Sequence, residues 1–158
     1  MKIAMGGVGR VMYLDSCILV KLIVAEPDSE FFVDALEGKP LVTSELAQTE
    51  VFSALLACER AGRITSTDRR RAWGEFEARI EAGEIRIESL NSIVLRKARH
   101  LLERCHPKVP LRTLDAIHLA TVDLCQDFPM ATTDGRLRDA AALLGHELFP
   151  PVELAPAN

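Results

Sequence analysis

The sequence predicts an α/β fold: three α/β/α layers around a central, mostly parallel sheet of four to five strands. Three observations point there. Short β-favouring runs alternate with helical segments from Val11 to Phe149. The first run, Val11-Met12-Tyr13-Leu14, is apolar throughout and stops abruptly at Asp15-Ser16, as a central parallel strand buried on both faces does. Several helical segments close on a glycine, at Gly38, Gly62, Gly83 and Gly145.

The elements follow in order. Residues 1–10 lack periodicity and read as a flexible extension. They contain no apolar core of signal-peptide length, which places the protein in the cytoplasm. Gly6-Gly7-Val8-Gly9 leads into a strand rather than out of one, so it reads as tail and not as a phosphate loop. After the first strand, Cys17 to Val24 is helical, with Asp15 or Ser16 as its cap and Ser16 the better candidate. Glu26-Pro27-Asp28-Ser29 breaks the chain before a short helix, Glu30 to Leu36. Pro40 to Val42 is a brief strand, and Thr43-Ser44 caps the long helix Glu45 to Ala61. Thr67 to Ala82 is amphipathic through Trp73, Phe76 and Ile80, which puts Trp73 in the core. Glu84 to Glu88 alternates polar and apolar as a partly exposed strand. Helices over Asn91 to Cys105 and Arg112 to Cys125 flank the loop 106–110. Phe128 to Thr132 is a strand, Asp134 to Leu144 a helix, and Glu147 to Phe149 an edge strand. Residues 11–150 form one domain, followed by a C-terminal tail, 151–158.

Composition narrows the function. At 158 residues and 48% hydrophobic the chain can bury a sizeable core, and it has no apolar run of about 18 residues to span a membrane. Cys17, Cys58, Cys105 and Cys125 form no C-x-x-C pair, so they read as reduced, packed thiols rather than a zinc site or disulfide framework. A net charge of −4 argues against coating nucleic acid by bulk electrostatics. It is compatible with cutting nucleic acid, because a metal site itself requires acids.

Four acids sit in apolar surroundings. Asp15 ends the first strand and Asp134 follows the fourth. Glu50 shares a helix face with Leu46, Ala47 and Ala54, and Asp115 shares one with Leu111 and Leu119. Ionised carboxylates on buried faces are costly and repel one another if they converge. A divalent cation removes that conflict, and an all-oxygen set suits Mg²⁺ or Mn²⁺ rather than zinc. Such a cation can activate water for phosphodiester hydrolysis. Each acid taken alone is equally a helix cap or an ion-pair partner, with Arg112 available for the latter.

The succession Tyr13-Leu14-Asp15-Ser16, Glu50 in a Glu-Val-x-x-Ala-Leu helix, Leu114-Asp115-Ala116-x-His118-Leu119-Ala120 and Thr132-Thr133-Asp134-x-x-Leu137 resembles a PIN-domain ribonuclease of the VapC toxin type. The likeness runs from Met12 to about Leu148. It implies a Mg²⁺- or Mn²⁺-dependent RNA endonuclease that forms a homodimer and is neutralised by a small antitoxin. Carried over by position, it makes Asp15 and Asp115 the principal metal ligands, completed by Glu50 and Asp134, with Ser16 and Thr133 supporting the site. Cys17 stands where a small polar residue is common in the family, and the extension before Val11 lies outside its pattern.

Between Arg96 and Arg112 stand Arg96, Lys97, Arg99, Arg104, Lys108 and Arg112 against the single acid Glu103. This is the candidate rim for RNA phosphates, with Lys108 and Arg112 the residues to test. Arg69-Arg70-Arg71 is a second basic run. His118 reads as a core histidine with one satisfied nitrogen. Two alternatives stay open: a PIN-like module that binds RNA or protein without cutting, and an acid-metal phosphatase with an aspartyl nucleophile. The second is disfavoured because Cys17 stands where such enzymes carry another Asp.

Overall fold

The computed structural model describes residues 9–152. Five strands form one parallel sheet in the order β3-β2-β1-β4-β5: β1 (Met12–Leu14), β2 (Leu41–Ser44), β3 (Ile85–Glu88), β4 (Met130–Ala131) and β5 (Leu148–Phe149). Among the described residues seven helices connect and cover them: α1 (Ser16–Ile23), α2 (Ser29–Leu36), α3 (Leu46–Arg60), α4 (Ser66–Glu81), α5 (Ser92–Cys105), α6 (Thr113–Cys125) and α7 (Gly135–Leu143). The expected three-layer α/β/α class is therefore what the chain adopts.

β1 shows how the sequence builds the layers. Its side chains alternate: Met12 and Leu14 pack into a cluster with α1 to α4, and Tyr13 packs into a second cluster with α5 to α7. All three are buried, which explains why the run is apolar without a polar face. The order of strands reverses at β1, with β2 on one side and β4 on the other. In open α/β sheets that reversal opens a crevice at the carboxyl ends of the strands.

Local expectations shift in instructive ways. Thr43 and Ser44 are strand residues, paired in register with Ile87 and Glu88. Both are fully buried. The Ser44 hydroxyl nonetheless accepts the Leu46 N–H at 3.2 Å, so it serves the start of α3 from inside β2. α4 begins one residue earlier than expected because Thr65 and Asp68 form a capping box. Of the terminal stretches, residues 1–8 and 153–158 lie outside the described residues. Arg10, assigned to the extension, ion-pairs with Glu147 beside β5 at 2.6 Å. Trp73 is only partly buried, packed edge-on against Phe52 with centroids 5.0 Å apart. Among the described residues no helix is long and apolar enough to cross a membrane.

Candidate active site

The carboxyl ends of β1 and β4 lie side by side because Leu14 is paired with Ala131. The next residues along, Asp15 and Thr132, are therefore neighbours. Asp15 is 6% exposed, and its buried charge is met by four donors. Oδ1 accepts the Ser16 N–H at 2.6 Å and the Ser16 hydroxyl at 3.3 Å. Oδ2 accepts the Thr132 hydroxyl at 2.8 Å and the Cys17 thiol at 3.1 Å. Asp15, not Ser16, is thus the cap of α1: its β-region backbone turns the carboxylate back onto the first amide.

Asp134 repeats the arrangement at α7, where Oδ1 accepts the Leu137 N–H at 2.9 Å. Its own N–H donates to Thr132 Oγ1 at 3.1 Å, so the buried Thr132 hydroxyl joins the two strand-end acids. Thr133, expected to support the site, is exposed and its hydroxyl reaches Cys17 Sγ at 3.6 Å. The threonine that touches an acid is Thr132. Only the β1–β4 register reveals this, since the two threonines are adjacent and chemically identical. Arg138 braces the same turn, donating to the Thr132 carbonyl at 2.9 Å.

Asp115 lies in the first turn of α6, where a negative charge suits the helix dipole. Burial raises its pKa above the ordinary carboxylate value, and the charges of Asp134 and Asp15 raise it further, with His118 opposing. That mutual repulsion is the electrostatic signature of acids converging on one place. Glu50 arrives from the other helical layer. α3 leaves β2 at the same end of the sheet, and Glu50 Oε1 meets His118 Nε2 at 2.5 Å. His118 is 1% exposed, with Nδ1 held by the Tyr13 hydroxyl at 2.8 Å and Nε2 3.6 Å from Asp15 Oδ1. Both ring nitrogens are engaged, one more than expected. Burial alone would lower its pKa; the bond to Glu50 and the charges of Asp15, Glu50 and Asp115 turn the net shift upward.

The four acids expected from sequence therefore share the crevice where strand order reverses. As they stand, no three Asp, Glu, His or Cys side chains among the described residues are grouped closely enough to grip one ion. Asp15 and Glu50 gather about His118, while Asp115 and Asp134 repel each other. The donor set still fits a hard cation: every acid supplies only oxygen, and the repulsion raising Asp115 is what a cation would relieve. Cys17 is no ligand in this state, because burial, then the charge of Asp15, push its thiol up to about 11.

The rim is basic. Arg112 and Lys108 are exposed, and neither takes part in an ion pair among the described residues. Arg112 therefore does not neutralise Asp115. Lys97 is engaged with Asp123 at 2.6 Å. Arg69 and Arg71 are bound to Glu59 and Asp68, which weakens the second basic run. A cavity of about 750 Å³ bordered by Lys39, Pro40 and Glu84 opens at the amino ends of the strands, away from the acids.

Comparison with known proteins agrees with this geometry. The PIN domain pattern matches residues 12–143. The chain is 36% identical over 148 residues to Ribonuclease VapC46 of Mycobacterium tuberculosis, covering 89% of this chain and 97% of that protein. It is 30% identical over 148 residues, with the same coverage, to Ribonuclease VapC35 of Mycobacterium tuberculosis. Among solved structures, the Sarcin-Ricin loop cleaving toxin VapC20 of Mycobacterium tuberculosis superposes with a TM-score of 0.64 at 18% identity, covering 92% of this chain and 99% of its own. A toxin-antitoxin complex from Klebsiella pneumoniae gives 0.58 at 18% identity, over 90% and 99% of the two chains. At these identities the structural matches speak for the fold.

Proposed function

The chain belongs to the PIN domain family, and from that premise we propose that it is a divalent-metal-dependent endoribonuclease, the toxin of a toxin-antitoxin pair. The observation that carries the reading is the meeting of Asp15, Glu50, Asp115 and Asp134, distant in sequence, in the crevice at the carboxyl ends of β1 and β4. Asp15 and Asp115 would be the principal ligands of Mg²⁺ or Mn²⁺, with Glu50 and Asp134 completing the acidic pocket. Such a cation supplies charge neutralisation and an activated water for phosphodiester hydrolysis. The chain's own groups prepare the place. Ser16, Thr132 and Cys17 hold the Asp15 carboxylate in place, and the exposed Lys108 and Arg112 receive RNA phosphates over a site that would otherwise repel them. Residues 11–150 act as a single PIN unit in the cytoplasm, as a homodimer, restrained by a small antitoxin; the similar Klebsiella pneumoniae structure is itself a toxin-antitoxin complex.

Incubation of the full chain with total RNA tests this. Cleavage is expected with Mg²⁺ or Mn²⁺, lost with EDTA, and lost in Asp15→Asn and Asp115→Asn although both variants keep the wild-type circular dichroism. Unchanged cleavage by either variant at saturating Mg²⁺ refutes the metal-site assignment, and RNA that is bound but left intact favours the non-cleaving module.

A further inference from the structure

Behind the acidic pocket a chain of hydrogen bonds joins the two helical layers, from Tyr13 in β1 through His118 in α6 to Glu50 in α3, and neither Tyr13 nor His118 has a part in the proposed reaction. The phenol faces the α5–α7 layer because β1 alternates, and it meets His118 Nδ1 at 2.8 Å. On the far side of the ring Nε2 lies 2.5 Å from Glu50 Oε1 and 3.6 Å from Asp15 Oδ1. The latter is too long for a hydrogen bond and close enough for strong charge attraction.

We propose that His118 is a positioning residue: clamped by Tyr13, its Nε2–H sets where the Glu50 and Asp15 carboxylates stand to receive a divalent cation. The inference rests on the metal-dependent reading of the acidic site. Its direction follows from the inventory of donors. A carboxylate only accepts, so Nε2 must carry the proton; in the neutral ring Nδ1 then accepts from the Tyr13 hydroxyl, and in the charged ring it donates to the same oxygen. Either way the Nε2–H···Glu50 bond persists. The ring cannot swing away, because it is fully enclosed and fixed at both nitrogens. Glu50 lies on a helix of the opposite layer, so without this tether its carboxylate has only its own rotamers to place it.

A Mn²⁺ titration of the full chain by calorimetry tests the proposal, with folding monitored by circular dichroism. Gln at position 118 can place its amide nitrogen where Nε2 lies, whereas Asn places it where Nδ1 lies. His118→Asn is therefore expected to bind Mn²⁺ about ten- to hundred-fold more weakly, the usual effect of losing a group that orients a ligand, with His118→Gln returning to within a few-fold of wild type. Wild-type affinity in a folded His118→Asn, or an equal loss in His118→Gln, overturns the positioning role. Should His118→Asn fail to fold, Tyr13→Phe decides: a several-fold weakening supports the clamp and unchanged affinity overturns it. Asp115→Asn run alongside separates the two readings. If it binds Mn²⁺ as wild type does, the metal site itself has failed; if it loses binding while the His118 variants do not, only the positioning role has.

Discussion

Replacing Thr132 by Val removes one oxygen from the point where the two strand-end acids meet, with almost no change of shape. The hydroxyl it deletes donates to Asp15 Oδ2 and accepts from the Asp134 N–H. The two losses are unequal. Asp134 is exposed, so water can take up its N–H and that loss costs little. Asp15 is 6% exposed, so nothing replaces the donor, and Oδ2 keeps only the weak Cys17 thiol. A hydrogen bond to a buried charge contributes about 1.5–3 kcal/mol. For a chain of this size that corresponds to a fall in Tm of about 3–12 °C. Thermal unfolding followed by circular dichroism at neutral pH measures it, and a parallel Mn²⁺-dependent RNA cleavage assay should show reduced kcat because Asp15 Oδ2 is less firmly oriented, while Ser16 still holds Oδ1. A Thr132→Val protein that melts within about 1 °C of wild type and cleaves normally would refute the claim that this hydroxyl orients Asp15.

Two further outcomes follow from the shifted groups. Asp115 has its folded pKa raised by burial and by Asp134 and Asp15, so the metal-free native state binds more protons than the unfolded chain above the ordinary carboxylate value. Stability from this group falls as pH rises through the raised pKa. Asp115→Asn should consequently melt higher than wild type near pH 7 without metal, and the difference should vanish near pH 4; a variant that melts lower at both pH values counts against the convergence of acids. Cys17, with its thiol pushed up to about 11 by burial and by Asp15, should resist iodoacetamide at pH 8 in the folded protein and react once denatured. Native labelling at the rate of a free thiol would show that the thiol does not sit against the carboxylate.

What the sequence by itself determined was periodic or local. The all-apolar Val11–Leu14 run marked a central strand, glycines closed several helices, and the apolar neighbours of Glu50 and Asp115 three and four positions away marked both as inward-facing acids. The motifs around Asp15, Asp115 and Asp134 carried the family. These signals are legible because a strand's period of two and a helix's of 3.6 are written in adjacent residues. Tertiary structure alone decided which donors meet which acids. The choice of Thr132 over Thr133 depends on Leu14 lying opposite Ala131, a pairing between segments more than a hundred residues apart. That Asp15 rather than Ser16 caps α1 depends on the dihedral angles at the end of β1. The Tyr13–His118–Glu50 chain joins one strand and two helices from opposite layers, and no spacing along the chain encodes a distance between layers. Hydrogen bonds are short-ranged and directional, so their partners are selected only once the sheet has brought those elements together.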